Sequence, residues 1–143
     1  DDPDPTRSHL FQRMLYATDF SENAERAFEL FSFLRHATQE ATLVHVRKPK
    51  GEELAEPSAE VQDELDELAE TLEAWDIETR IDVRDGDPAT QILEAEAEHD
   101  PTTTLVGSRG QSRLRRLLLG SVSERVVAEA NGNVLLVPPA RQR

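Results

Sequence analysis

The chain has 143 residues, enough for one domain with a real core and too few for two. With 16 Lys+Arg against 29 Asp+Glu its net charge is −13, which disfavours long-range attraction to nucleic acid or to an anionic membrane surface. It has no cysteine, so disulfides, thiolate nucleophiles and cysteine-rich zinc sites are excluded, and the expected location is cytoplasmic.

Residues 1–9 are polar, proline-containing and aperiodic, and read as a tail or linker. No Met opens the chain, which points to a processed product or to a piece that follows another domain. The expected domain runs over 10–139, with 140–143 as a second tail. Met14–Thr18 is a short apolar run that stops at Asp19 and Ser21, as a buried strand feeding a helix cap does. Ala24, Ala27, Phe28, Phe31 and Leu34 then recur at three and four, predicting one amphipathic helix. Ala41–Val46 is a second strand. Val61, Leu65, Leu68, Leu72 and Trp75 keep helical spacing through the acidic stretch that follows, so it reads as a folded helix with a solvated acidic face.

Ile77–Val83 alternates as a third strand, and Gly86-Asp87-Pro88 turns into a helix whose expected buried side is Ile92, Leu93 and Ala97. Thr103–Val106 is a fourth strand, broken by Gly107, and the polar run His99–Thr104 is expected to leave it short. Ser121 opens a helix carrying Val122, Val126, Val127 and Ala130, and Val134–Val137 is the last strand. No apolar run approaches the roughly 20 residues that cross a bilayer, so membrane insertion is not expected. Strands alternating with helical crossovers imply a parallel sheet covered by helices on both faces, a doubly wound α/β domain. Ligands of such sheets bind beyond the carboxyl ends of the strands, which directs attention to Asp19, Val46, Gly86 and Gly107.

Charge is uneven along the chain. Residues 1–51 carry 7 bases and 8 acids, residues 52–100 carry 2 and 19, and residues 101–143 carry 7 and 2. The last third is thus a basic island holding Arg109, Arg113, Arg115 and Arg116, either an anion site or a patch that pairs with the acidic surface beside it. In the same passage Gly107 and Gly110 permit close approach of backbone N–H groups to phosphate oxygens, and Gly120-Ser121 sits at a helix start, where unpaired N–H groups favour an anion. The alternative is that these glycines only make turns and that Ser121 is only an N-cap.

The spacing Gly107-x2-Gly110-x9-Gly120-Ser121 resembles the ATP-binding signature of the universal stress protein family. Leu15–Glu22 resembles that family's opening strand and acidic turn, His45-Val46 the end of its second strand, Gly86-Asp87-Pro88 its Gly-x-Pro turn, and Val134–Val137 its terminal strand. The resemblance implies a five-stranded parallel sheet in order 3-2-1-4-5, like that of the adenine nucleotide α-hydrolases. It implies ATP as ligand, with Mg or Mn carried by the phosphates, in a stress-response module that reports its bound state to a protein partner. Asp19 would lie against the nucleoside with Ala17 and Thr18 beside it, and Val46 would line the adenine pocket through backbone and side chain. Gly107, Gly110, Gly120 and Ser121 would hold the phosphates. Ser108, Arg109, Gln111, Ser112 and Arg113 would form the connecting loop, with Val106 and Val122 flanking it. The family often has proline where Ala17 stands, a small departure.

Other chemistries fail on the same positions. The loop lacks the Lys of a P-loop, no Gly-x-Gly-x-x-Gly follows the first strand, and the four histidines do not fall at metal-ligand spacing. His45 reads as a core or pocket-wall residue. Two rival functions remain: a slow ATPase or phosphotransferase acting through Ser121 or Ser123, and a nucleotide-free dimeric scaffold. ATP is also not separable here from AMP or cyclic AMP. Finally, Val134–Val137 carries no charge that would guard a sheet edge. Something is expected to cover it, and the resemblance implies a homodimer through that strand.

Overall fold

The computed structural model describes residues 9–47, 59–108 and 120–138. Its elements are β1 (Arg13–Ala17), α1 (Glu22–Phe28), α2 (Leu30–Leu34), β2 (Glu40–Arg47), α3 (Ala59–Ala74), β3 (Glu78–Asp85), α4 (Pro88–His99), β4 (Thr103–Gly107), α5 (Ser121–Glu129) and β5 (Asn133–Val137). The strands form one all-parallel sheet in the order β3-β2-β1-β4-β5. This is the doubly wound α/β architecture expected from the alternation.

Side-chain alternation on the central strands assigns the two faces. Met14, Tyr16, Ala41 and Leu43 join Phe31, Leu65 and Leu72 in the larger core, under α1, α2 and α3. Leu15 and Val44 point the other way and pack with Ala95 of α4. Burial pushes the Tyr16 hydroxyl above the usual phenol range, and that hydroxyl donates to the Ala24 carbonyl, tying α1 down to β1.

Several expectations need correction. The helix read as continuous over 24–34 is two short helices that meet at Glu29. Ala97 is exposed, and α4 instead buries Ala89, Ile92, Ala95 and the carboxylate residue Glu96, because the inward stripe lies one position from the one read off Leu93 and Ala97. Glu96 is tolerated there because its two oxygens accept from the Asn131 and Gly132 amides at 3.0 and 2.8 Å, satisfying the turn before β5. On α5 it is Ser123, not Val127, that turns inward; Val127 is 44% exposed. The polar run before β4 does not shorten it: β4 has 5 residues, like β1 and β5. Its threonines are used as ties, Thr102 exchanging hydrogen bonds with the Arg13 backbone and Thr103 donating to the Leu10 carbonyl at 2.7 Å.

Candidate functional site

Strand order reverses between β1 and β4, so the crevice of this sheet opens beyond their carboxyl ends. A cavity of about 650 Å³ lies there, the size of a small-molecule site. Ala17, Thr18, Asp19 and Val46 wall one side of it, and Val106, Gly107, Gly120, Ser121 and Val122 the other. Ala24, Arg47, Pro88, Ile92 and Ser123, absent from the predicted set, also reach it, and so does His45, read from sequence as a core or pocket-wall residue.

The first side is built by a turn. The Thr18 amide still donates to the Val44 carbonyl at 2.9 Å, but the Thr18 carbonyl meets His45 Nδ1 in place of the next ladder bond, and the apolar run Met14–Thr18 yields a strand ending at Ala17. The Thr18 hydroxyl then accepts from the Phe20 amide and Asp19 Oδ1 from the Ser21 amide, both at 3.0 Å. Ser21 in turn caps α1, its hydroxyl accepting from the Ala24 amide. This tight path forces Phe20 to φ 63°, left-handed space that costs a residue with a Cβ about 1–3 kcal/mol. The Phe20 ring lies 4.6 Å from the His45 ring, and His45 Nδ1 is 2.9 Å from the Thr18 carbonyl.

The floor between β2 and β3 is held by Arg47, whose guanidinium makes a two-pronged pair with Asp85 at 2.7 and 3.0 Å. Gly86 follows at φ 137°, a conformation that requires glycine, and its amide donates to the Arg47 carbonyl. Asp87 then caps α4 and Pro88 opens it. Hydrogen bonds from the Thr90 amide and hydroxyl, with the Arg125 charge, hold the Asp87 carboxyl below the usual carboxylate range.

The second side is tied together largely through backbone carbonyls. The Ser108 amide donates to the Val137 carbonyl, and the Ser108 carbonyl accepts from the Gly120 amide at 2.7 Å and from the Ser123 hydroxyl at 2.8 Å. The end of β4 and the start of α5 are thereby joined at a neck. Arg109, Gly110, Gln111, Ser112 and Arg113 lie outside the described residues. Gly120, not Ser121, is the N-cap of α5, and the first bond of the helix runs from the Glu124 amide to the Gly120 carbonyl. The amides of Ser121, Val122 and Ser123 therefore have no acceptor within the helix. Ser121 is exposed at the cavity, whereas the Ser123 hydroxyl is buried in the neck. Gly107 has a packing reason of its own: a Cβ there would lie 3.0 Å from Asn23 Cγ, and Asn23 Nδ2 donates to the Val137 carbonyl.

Away from the cavity, Asp82, Glu98 and His99 gather their side-chain ligand atoms within 4.8 Å of one another. Arg84 Nη1 occupies that space, 2.7 Å from Asp82 and 2.9 Å from Glu98, which makes the group an ion-pair network along the β3 edge. Burial alone would push the Asp82 carboxyl up, but hydrogen bonds from His99 and Arg84 outweigh it and hold the group below the usual carboxylate range.

A parallel sheet in order 3-2-1-4-5 with its cavity at the β1/β4 switch defines a doubly wound α/β domain with a small-molecule crevice beyond its strand ends. The model of the universal stress protein family matches residues 10–138, and the chain belongs to that family. It is 34% identical to a universal stress protein of Thermus aquaticus over 90% of this chain and 99% of that one. The match to universal stress protein MJ0531 of Methanocaldococcus jannaschii is 33% identical and spans 54% of this chain and 46% of that protein. The solved structure of protein MJ0577 superposes with a TM-score of 0.80 at 24% identity, over 93% of this chain and 99% of that one. Two further structures share the fold with TM-scores of 0.66. One, from Arabidopsis thaliana, has AMP bound, at 20% identity over 90% and 92% of the two chains. The other is in complex with cAMP, at 23% identity over 92% and 99%.

Proposed function

We propose that this chain is an ATP-binding regulatory module, cytoplasmic in location, that binds the nucleotide in the β1/β4 cavity and passes its bound state to a protein partner. The observation that carries the reading is that one cavity joins the carboxyl end of β2 at Val46 to the start of α5, whose first amides have no acceptor within the helix. The base lies against Val46 and the Thr18–Asp19 turn. The phosphates meet Gly107, Gly120 and the Ser121 and Val122 amides, where a helix start favours an anion. Gly110 and the arginines of the connecting segment complete the cradle in this proposal. That two family members hold AMP and cAMP supports an adenine nucleotide as the ligand class.

Asp19 is the one carboxylate among the described residues lining the cavity, and its Oδ1 already accepts from the Ser21 amide. A Mg or Mn ion is therefore proposed to travel on the phosphates rather than in a cage of protein ligands. Turnover is proposed to be slow, because the Ser123 hydroxyl is engaged in the neck and Ser121 has no adjacent base among the described residues. As β5 is a sheet edge with Val134, Leu135 and Leu136 only half-buried, two copies of this chain are proposed to meet along it. Incubation with labelled ATP tests the function. Retained ATP supports it, whereas phosphate release or phosphoprotein supports the enzymatic rival and no retention supports a scaffold.

A further inference from the structure

His45 does something in this cavity that a wall residue need not do. In a parallel ladder, the bond from the Thr18 amide to the Val44 carbonyl would be followed by one from the Val46 amide to the Thr18 carbonyl. Here the Thr18 carbonyl is met instead by His45 Nδ1, at 2.9 Å. Because the backbone groups of Val44 face β1, those of Val46, two residues on, face the same way, into the space where β1 has ended. That space is the cavity.

The carbonyl of Thr18 can only accept, so Nδ1 carries a proton and donates it. The same ring lies against Phe20, the left-handed residue of the turn, 4.6 Å centroid to centroid and tilted by 31°. His45 thus holds the turn at two points, one polar and one apolar, on either side of Asp19.

We propose that His45 is a positioning residue that diverts the Thr18 carbonyl from the sheet ladder, so that the Val46 N–H and C=O are presented as a donor-acceptor pair to the base of the nucleotide. The inference rests on the adenine-nucleotide reading for its ligand, but the diversion itself belongs to the unliganded protein. It explains why a polar side chain with a ring is needed at the end of β2. A phenylalanine could stack on Phe20 but not take the carbonyl, and an asparagine could take the carbonyl but not stack.

Three variants separate these parts. His45→Asn keeps an N–H near the Nδ1 position, His45→Phe keeps only the ring, and His45→Ala keeps neither. In the absence of ligand, hydrogen exchange of the Val46 amide should be about tenfold slower in His45→Phe than in wild type, as the ladder bond closes, and unchanged in His45→Asn. In titrations with ATP and GTP, His45→Phe and His45→Ala should bind ATP about tenfold more weakly and lose preference over GTP, with His45→Asn within about threefold of wild type. Equal Val46 exchange in wild type and His45→Phe overturns the proposal, whether or not the protein binds ATP; if His45→Phe does not fold, His45→Ala serves for the same comparison. Wild-type protein that ignores ATP would defeat the nucleotide reading while the exchange result still decides what His45 does.

Discussion

The two sides of the cavity are made by opposite means. At the β1/β2 side the wall is shaped by side chains that hydrogen-bond the backbone of a strained turn: Thr18, Asp19, Ser21 and His45. At the β4/α5 side, the Gly120 amide and the Ser123 hydroxyl converge on the Ser108 carbonyl, and the cavity is lined by Val106, Gly107, Gly120 and the first residues of α5. At the first side the side chains set which backbone groups meet the hydrogen-bonding edge of the base, whereas at the second side the glycines and helix-start amides select by shape and charge. Substitutions at the first side should therefore change which nucleotide binds. At the second side only a change of shape should matter greatly.

The largest effect should come from shape at the second side. Gly120→Val is expected to weaken ATP binding by about a hundredfold or more, through loss of two or three charge-assisted hydrogen bonds. Gly120 sits at φ −67° and ψ 158°, extended backbone open to any residue, so stability should drop by no more than about 1 kcal/mol. Calorimetric titration beside a melting curve separates the two quantities, and a folded variant with normal affinity would mean that this glycine only makes a turn.

Gly107→Ala should do the reverse. Its Cβ would press on Asn23, so the variant is expected to lose about 1–3 kcal/mol of stability as read by denaturant unfolding. ATP affinity of the folded fraction should change much less than in Gly120→Val.

A control lies on the β3 edge, outside both walls. Asp82 has its carboxyl held low by His99 and Arg84, so the stability it contributes is present above the ordinary carboxylate pKa of about 4 and is lost as pH falls through the lower folded value. Asp82→Asn should cost about 1 kcal/mol at neutral pH and flatten part of the acid-side decline, with ATP affinity unmoved. Back at the second wall, Ser121→Ala removes one exposed hydroxyl while leaving its amide, and should weaken ATP only about fivefold in the same titration.

A parallel doubly wound sheet was legible because strand-length apolar runs alternate with helical spacings from Met14 to Val137, and its order 3-2-1-4-5 came from the family resemblance. The carboxyl-end rule for such sheets located the crevice, and the resemblance carried by the glycine spacing assigned a ligand to it. What sequence could not show follows from packing in three dimensions. The inward role of Ser123 depends on the Ser108 carbonyl, 15 residues away, and a period-3.6 reading places valines there by default. Glu96 reads as one more surface acid until the turn at Asn131 and Gly132 supplies its donors. His45 stood next to Val46 in plain view, but its Nδ1 partner is a backbone atom of another strand, which no residue pattern marks. Gly107 reads as a phosphate-side glycine, yet the contact that demands it is with Asn23 on α1.

The central claim is that these two walls form one site for one ligand. It is tested most directly by following backbone amides in the NMR spectrum of the labelled protein during titration. With Mg-ATP, the Val46 amide and the Ser121 and Val122 amides should shift together along a single binding curve. Adenosine alone should move Val46, and pyrophosphate alone should move Ser121 and Val122. Shifts confined to one wall with ATP, separate midpoints for the two walls, or no shift at millimolar ATP, where only about 4 kcal/mol of binding free energy is needed to be seen, would contradict it.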